Sequence, residues 1–249
     1  MRSVFLALVL LSAAPAFAQS TAQSLFEKGN AAYQQDSFAS ALTYYLKIPE
    51  QAQKESAGLY YNLGNTYYKL GNLGKAILYY ERALQLNPND EEARQNLAIA
   101  KEKTIDRFDE LPKTLVRNAY LGLLQLFSPN GWAVVSVVGF SLLLLGLGLY
   151  LFSRWGRAGF VTAFAGLLLG TLALLLAFGH QNYRATHRKA IVLSASAYVK
   201  SGPSQSAEDV LILHEGTAAI ILQSFEGWRK IRLPDGKLGW IPAEDIEAV

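Results

Sequence analysis

Residues 57–90 read AGLYYNLGNTYYKLGNLGKAILYYERALQLNPND. Two helical patterns meet at Leu70-Gly71-Asn72. Leu63 and Tyr67 share one helical face at i, i+4, and so do Ala76 and Tyr80. Gly64 and Ala76 are small, which lets the two helices approach closely. Gly71 stands where the first helix must stop. Pro88 follows the second helix and blocks its extension. The spacing predicts a helical hairpin that occupies the 34 residues from Ala57 to Asp90.

The pattern recurs. Leu25, Gly29, Ala41 and Tyr45 stand 35 residues before Tyr60, Gly64, Ala76 and Tyr80. Asp36 replaces the turn glycine, and Gln53 replaces the proline. Downstream, Glu91 to Lys103 keeps Leu97, puts Ala98 at the small position, and reads as a capping helix. The series Tyr60-x2-Leu63-Gly64-x2-Tyr67, Ala76-x3-Tyr80, Ala83, Pro88 resembles the tetratricopeptide signature, with tyrosine where that signature has tryptophan and phenylalanine. The expected domain covers residues 19–104, with repeats at 22–56 and 57–90 and a cap at 91–103. Two repeats and a cap fall short of the three that usually make a stable solenoid. The domain is therefore expected to lean on a partner, on a second copy or on a membrane. Gly74, in the first turn of the second helix, is expected on the exposed outer face.

The resemblance also implies a concave groove built from the first helix of each repeat. Its positions fall on Phe26, Asn30 and Tyr33, then on Tyr61, Asn65, Tyr68 and Lys69. Asn30 and Asn65 are equivalent between repeats, and in related domains such asparagines hold a peptide backbone. The carboxylate-clamp variety needs basic residues where this chain has Phe26, Gln95 and Ile99. An aromatic or apolar peptide fits better than an acidic tail.

Half of the 249 residues are hydrophobic, and they cluster at the N-terminus and after residue 130. Residues 1–18 read as a secretory signal peptide, with Arg2, an apolar run and an Ala16-Phe17-Ala18 cleavage site. The chain has no cysteine, which excludes disulfides, thiol catalysis and thiolate metal sites. It also excludes a lipid anchor on cysteine. The net charge is +3, with no basic stripe of the kind nucleic-acid binding requires. Residues 131–153 and 158–179 predict two transmembrane helices joined by a cytoplasmic loop, 154–157, that carries Arg154 and Arg157. Both flanking domains are then expected in the periplasm. Gly166 and Gly170, extended by Thr162, form a stripe of small residues suited to packing on the first span, with dimerisation as the alternative. In the linker at 105–130, Leu115, Ala119, Leu123 and Phe127 repeat every four residues. That predicts a helix on the membrane surface, so membrane lipid is an expected partner.

Residues 188–249 switch to short strands. Five are expected: 190–193, 210–213, 218–222, 229–232 and 238–241. Glu215-Gly216, Glu226-Gly227 and Pro234-Asp235-Gly236 supply turn signals. The order Val199-Lys200-Ser201-Gly202-Pro203-Ser204, His214-Glu215-Gly216-Thr217, Gly227-Trp228-Arg229-Lys230-Ile231 and Asp235-Gly236-Lys237-Leu238-Gly239-Trp240-Ile241 resembles a bacterial SH3-like barrel. That resemblance implies peptidoglycan as a ligand, with Tyr198 and Trp228 available to stack on it. Packing inside the barrel is the competing expectation for both, and Trp240 is expected in the core.

The expected fold class is multidomain: an α-helical tetratricopeptide solenoid, a two-helix transmembrane hairpin and a small all-β SH3-like barrel. Taken in order, these parts resemble the BatE-type proteins of aerotolerance operons. The resemblance implies membrane proteins with von Willebrand A domains as partners, and a MoxR-type ATPase indirectly. No HExxH, GxSxG or phosphate-binding glycine loop occurs, so no catalytic residue, metal site or cofactor is expected.

Overall fold

A computed structural model describes residues 21–52, 56–108 and 114–249. The leader at 1–18 and the Gln53 position lie outside these residues. The chain forms two units. One is drawn from both ends, from the described residues up to 108 and from Lys189–Val249; the other is the middle of the chain.

The first unit opens with five helices: α1 (21–34), α2 (Phe38–Ala52), α3 (Ala57–Lys69), α4 (Leu73–Leu86) and α5 (Glu91–Glu102). Ser56, Asn72 and Asp90 cap α3, α4 and α5, each side chain accepting an amide three residues on. The turn between α3 and α4 uses Gly71 at φ +78°, and the turn between α1 and α2 uses Asp36 at φ +55°. Aspartate tolerates this left-handed conformation better than most side chains, so it can substitute for the turn glycine. Within each hairpin a glycine meets a tyrosine ring. A Cβ on Gly64 would lie 2.6 Å from Tyr80 Cδ1, and one on Gly29 would strike the ring of Tyr45. Both rings are buried, together with Ala41, Leu59, Leu63, Ala76 and Ala83, and Leu97 of α5 completes the same core.

The C-terminal part of this unit is a seven-stranded sheet: β1 (Arg188–Val192), β2 (Ser196–Lys200), β3 (Asp209–His214), β4 (Ala218–Phe225), β5 (Trp228–Arg232), β6 (Leu238–Pro242) and β7 (Ile246–Ala248). The strand order is β3-β2-β6-β5-β4-β1-β7, and the registered pairs are antiparallel. Five strands were expected. The two extra ones are β2, as long as β1, β5 and β6, and β7, of only three residues. Val199, Leu213, Ile221, Ile231, Ile241 and Ile246 fill one core to which all seven strands contribute. Trp240 is not in it. On β6 the inward positions are Gly239 and Ile241, and Trp240 lies half-buried on the other face with Lys230 Nζ 5.9 Å from its ring centre. Gly239 is inward because Val199 occupies the space a side chain would need.

The sheet and the helices share a core. Along β1, Ala190 and Val192 point into the β core, while Ile191 between them is fully buried in the helical core. This is the period-two alternation of a strand serving two cores at once. Leu193, Ala218 and Val249 add to the helical side. Polar contacts rim this contact. Glu81 pairs with Lys101 at 2.8 Å and with Lys189 at 2.6 Å. Arg82 pairs with Glu247 at 2.8 Å and donates to the Ala248 carbonyl. Asp106 accepts from the His214 amide at 2.7 Å and from Thr217 Oγ1 at 2.6 Å, and lies 2.8 Å from His214 Nδ1. Gly74 is therefore buried, not exposed. A Cβ there would lie 2.9 Å from the Val192 carbonyl, and its amide donates to Glu215. The repeats lean on the chain's own β domain.

Burial works to raise the pKa of Glu81, but Lys189 and Lys101 outweigh it and hold the carboxyl below its ordinary 4.5. Burial likewise works against Asp106, whose hydrogen bonds from Thr217 and His214 leave it below 3.8. A depressed carboxyl adds stability that is present above its unfolded pKa and is lost as pH falls through the folded value. The contact should therefore hold from neutral pH down to about pH 4.5 and weaken below it. Below about pH 4.5 melting temperatures should fall more steeply for the wild type than for Glu81→Gln. Parallel curves would remove Glu81 from the linkage.

The second unit holds α6 (Leu115–Gln125), α7 (Pro129–Phe152) and α8 (Gly156–Thr186). Ser128 caps α7, with Pro129 at its first turn. Both long helices are apolar and long enough to cross a bilayer, at 24 residues and, for the apolar part of α8, 28. They pack backbone to backbone. Gly139 faces Gly166 and Gly170, Gly146 faces Gly159 and Ala163, and Ser136 Oγ donates to the Gly170 carbonyl at 3.0 Å. The stripe of small residues thus runs Gly159, Ala163, Gly166, Gly170. Thr162 stands one position off it and is only half-buried. On α6 the side packed against the long helices differs from the side with the four-residue rhythm. Leu124 is buried with Trp132, Ala173 and Leu176, whereas Leu115 and Leu123 are exposed.

Candidate functional site

The helical hairpins leave a cavity of about 380 Å³ lined by Tyr33, Tyr61, Asn65, Tyr68, Lys69, Tyr80, Asn96 and Ile99. Successive first helices, α1, α3 and α5, supply all of these except Tyr80, which reaches in from α4. Five of the seven groove residues named from the sequence meet here: Tyr33, Tyr61, Asn65, Tyr68 and Lys69. Phe26 and Asn30 do not line it. Phe26 packs against Tyr45 with ring centres 6.0 Å apart.

The asparagines have a structural task. Asn30 Oδ1 accepts from Tyr45 Oη at 2.7 Å and from Asn62 Nδ2 at 3.1 Å. One repeat later, Asn65 Oδ1 accepts from Tyr80 Oη at 2.7 Å and from Asn96 Nδ2 at 2.9 Å. Each asparagine therefore ties its own hairpin to the next first helix. The carbonyl oxygen is consumed, and the amide nitrogen of Asn65 remains to donate into the cavity. Burial pushes the Tyr45 hydroxyl up to about 12, with Tyr33 adding to it. Burial also raises Tyr80, reinforced by Tyr33, Tyr61 and Tyr68. Both hydroxyls stay protonated near neutral pH and keep donating.

Sequence reasoning missed Tyr80 and Asn96 as lining residues. The 34-residue step from Asn62 to Asn96 was the signal available. The cavity wall is aromatic, with cations at its edge. Lys103 Nζ stands 4.5 Å from the centre of the Tyr68 ring, and Lys69 Nζ stands 5.8 Å from that of Phe38. Such a site can hold an extended segment by stacking and by donors from Asn65 and the tyrosine hydroxyls. On the β domain, Tyr198 is 51 % exposed on β2 opposite Ile212, and Trp228 is half-buried. The competing expectation, that Tyr198 packs within the barrel, does not hold. Among the described residues no group of three or more histidines and carboxylates could hold a metal ion.

Residues 57–90 match the tetratricopeptide repeat family model. That segment is a tetratricopeptide repeat. Curated relatives include tetratricopeptide repeat protein 16 of Macaca fascicularis and of Homo sapiens, each 35 % identical over 71 residues. Those matches cover 28 % of this chain and 8 % of either relative. Similar solved structures include the tetratricopeptide domain of Arabidopsis OM64, with 14 % identity, TM-score 0.33, and coverage of 67 % of this chain and 98 % of that one. The TPR2B domain of yeast Sti1, in a complex with pHsp70, gives 15 % identity, TM-score 0.31 and coverage of 60 % and 98 %. An NlpC/P60 family protein of Bacillus cereus gives 18 % identity, TM-score 0.22 and coverage of 28 % and 23 %. Tetratricopeptide repeats are protein-interaction scaffolds, and this chain carries that scaffold beside two apolar helices and an antiparallel β domain.

Proposed function

We propose that the chain is a membrane-anchored periplasmic scaffold that captures an extended protein segment in its tetratricopeptide groove. The observation that carries this is the cavity itself, where Tyr33 of α1 converges with Tyr61, Tyr68 and the side-chain amide of Asn65 on α3. An aromatic wall with few fixed donors suits an aromatic or apolar peptide. The leader-like residues 1–18 and the two apolar helices support export of both domains and anchoring by α7 and α8. By the order of its parts, the partners would be von Willebrand A membrane proteins, with a MoxR-type ATPase further off. The reading assigns the chain no catalytic step.

A second reading, wall sensing through peptidoglycan on the β domain, draws support from the exposure of Tyr198. Binding of purified wall material by the wild type and not by Tyr198→Ala would favour it.

The test of the first reading is affinity capture from solubilised membranes. Tyr68→Ala and Lys69→Ala touch the cavity without breaking the asparagine ties. Loss of a central aromatic contact costs about 1–3 kcal/mol, roughly 5- to 150-fold in affinity. Asn65→Ala would also strand Tyr80 and Asn96, so it should lower stability as well as capture. Unchanged capture by the Tyr68→Ala, Lys69→Ala double variant would move the interface off this groove.

A further inference from the structure

We propose that α6 is an interfacial helix, seated in the headgroup layer of the bilayer leaflet where α7 begins and α8 ends. The proposal rests on the reading of α7 and α8 as membrane spans.

Three observations carry it. First, α6 packs where α8 is still apolar. Tyr120 Oη lies against Gly179, and Leu124 joins a buried cluster with Trp132, Ala173 and Leu176. The uncharged run of α8 reaches Gly179 before His180 begins the polar end. Ala173 lies six residues before Gly179, about 9 Å at 1.5 Å per residue. A helix held at that level stands at the depth where interfacial helices lie, about 5–10 Å into the boundary of headgroup and acyl chain.

Second, α6 is apolar on a second side that nothing in its unit covers. Val116, Ala119 and Leu123 follow at steps of three and four, and Leu126 in the turn after α6 continues the line. All four are exposed, Val116 at 80 %. A stripe of this kind left in water is unfavourable. Here it continues the apolar surface of the two spans.

Third, the neighbouring chemistry suits this layer. Trp132 donates its indole N–H to the Leu124 carbonyl at 3.2 Å, which fastens the first turn of α7 to α6. Tryptophan and tyrosine favour the headgroup level. No Asp or Glu occurs between residues 111 and 207, so no fixed anion in this stretch opposes anionic headgroups. The occupant of the stripe is therefore lipid, at the level of anionic headgroups and the first acyl carbons.

The full chain has no cysteine, so single cysteines report cleanly. Val116→Cys and Leu123→Cys would carry an environment-sensitive fluorophore, with Leu144→Cys in α7 and Tyr198→Cys in β2 as references. The protein is reconstituted in phosphatidylglycerol and phosphatidylethanolamine vesicles. Quenchers are aqueous iodide and lipids bearing a nitroxide near the headgroup or at the acyl terminus. The labels on α6 should lose most of their emission to the headgroup-level nitroxide and little to iodide. Leu144 should respond to the deep nitroxide, and Tyr198 to iodide. If the α6 labels respond to iodide as Tyr198 does while Leu144 stays in the acyl core, α6 stands in water and the proposal fails with the spans intact. Protection from every quencher would mean protein over the stripe, which also overturns it. If Leu144 itself responds to iodide, the spanning reading fails and this inference falls with it.

Discussion

Gly64→Leu should abolish the cooperative melt of the repeat unit. The missing side chain at this position is where the Tyr80 ring lies, 2.6 Å from an added Cβ. That ring cannot swing away without cost. It is buried, and its hydroxyl is bonded to Asn65 Oδ1, which also takes Asn96. Displacing it would leave buried polar groups unpaired at about 1–3 kcal/mol each. Overpacking adds about 1–3 kcal/mol or more. The two together come to about 2–6 kcal/mol or more, against a total of about 5–15 kcal/mol for an ordinary domain. Gly58→Leu is the control. It sits in the first turn of the same helix, and nothing lies within 4 Å of its added Cβ. Circular dichroism of the two variants separates the cases, and a Gly64→Leu melt at the wild-type temperature would refute the hairpin register. Gly74→Leu is no control. It strikes the Val192 carbonyl and would push the β domain off α4.

The contrast between Gly64 and Gly74 marks how far the sequence was legible. The repeat could be read because its code is local. Glycine, alanine and tyrosine recur at fixed steps, and helices 35 residues apart use them alike: Tyr45 bonds Asn30 as Tyr80 bonds Asn65. Gly74 was misplaced because its neighbour, Glu215, stands 141 residues away, and no periodicity within α4 announces a partner so remote. Trp240 failed for a related reason. Size suggested core, but the alternation of β6 puts Gly239 and Ile241 inside, and only the approach of Val199 explains why glycine is required there. On α6 the four-residue rhythm of Leu115, Ala119, Leu123 and Phe127 marked an exposed apolar side, and Leu124, which meets α8, lies off it. The helix is apolar on two sides, so periodicity alone could not choose the face that meets α8. In the groove, the aromatic residues were legible and the double duty of Asn65 was not, because its partners come from two other helices.

A fragment ending at Lys103 should be at most marginally folded, whereas a chain joining residues 19–108 to 189–249 through a flexible linker should melt cooperatively. Two repeats and a cap bury their apolar faces only against neighbours, and they lack the third repeat that usually makes such a stack stable. Here the β domain supplies the missing surface. Removing it uncovers Ile77, which is fully buried and which a Cβ on Gly216 would meet at 2.9 Å. It also removes Ile191 from the centre of the helical core, with Leu193, Ala218 and Val249 around it. Burial of one large aliphatic side chain is worth about 1.5–3 kcal/mol. Losing one in full and several in part costs about 4–8 kcal/mol, comparable to the whole stability of a small domain. The linked chain keeps Asp106 and with it the bonds to His214 and Thr217, which a cut at Lys103 discards. Asp106→Ala in the linked chain should fall between the two, since it strands the Thr217 hydroxyl and the His214 amide but keeps Ile191 buried. Equal melting temperatures for the short fragment and the linked chain would make the shared strand β1 a passive contact, and the solenoid would have to be stable without it.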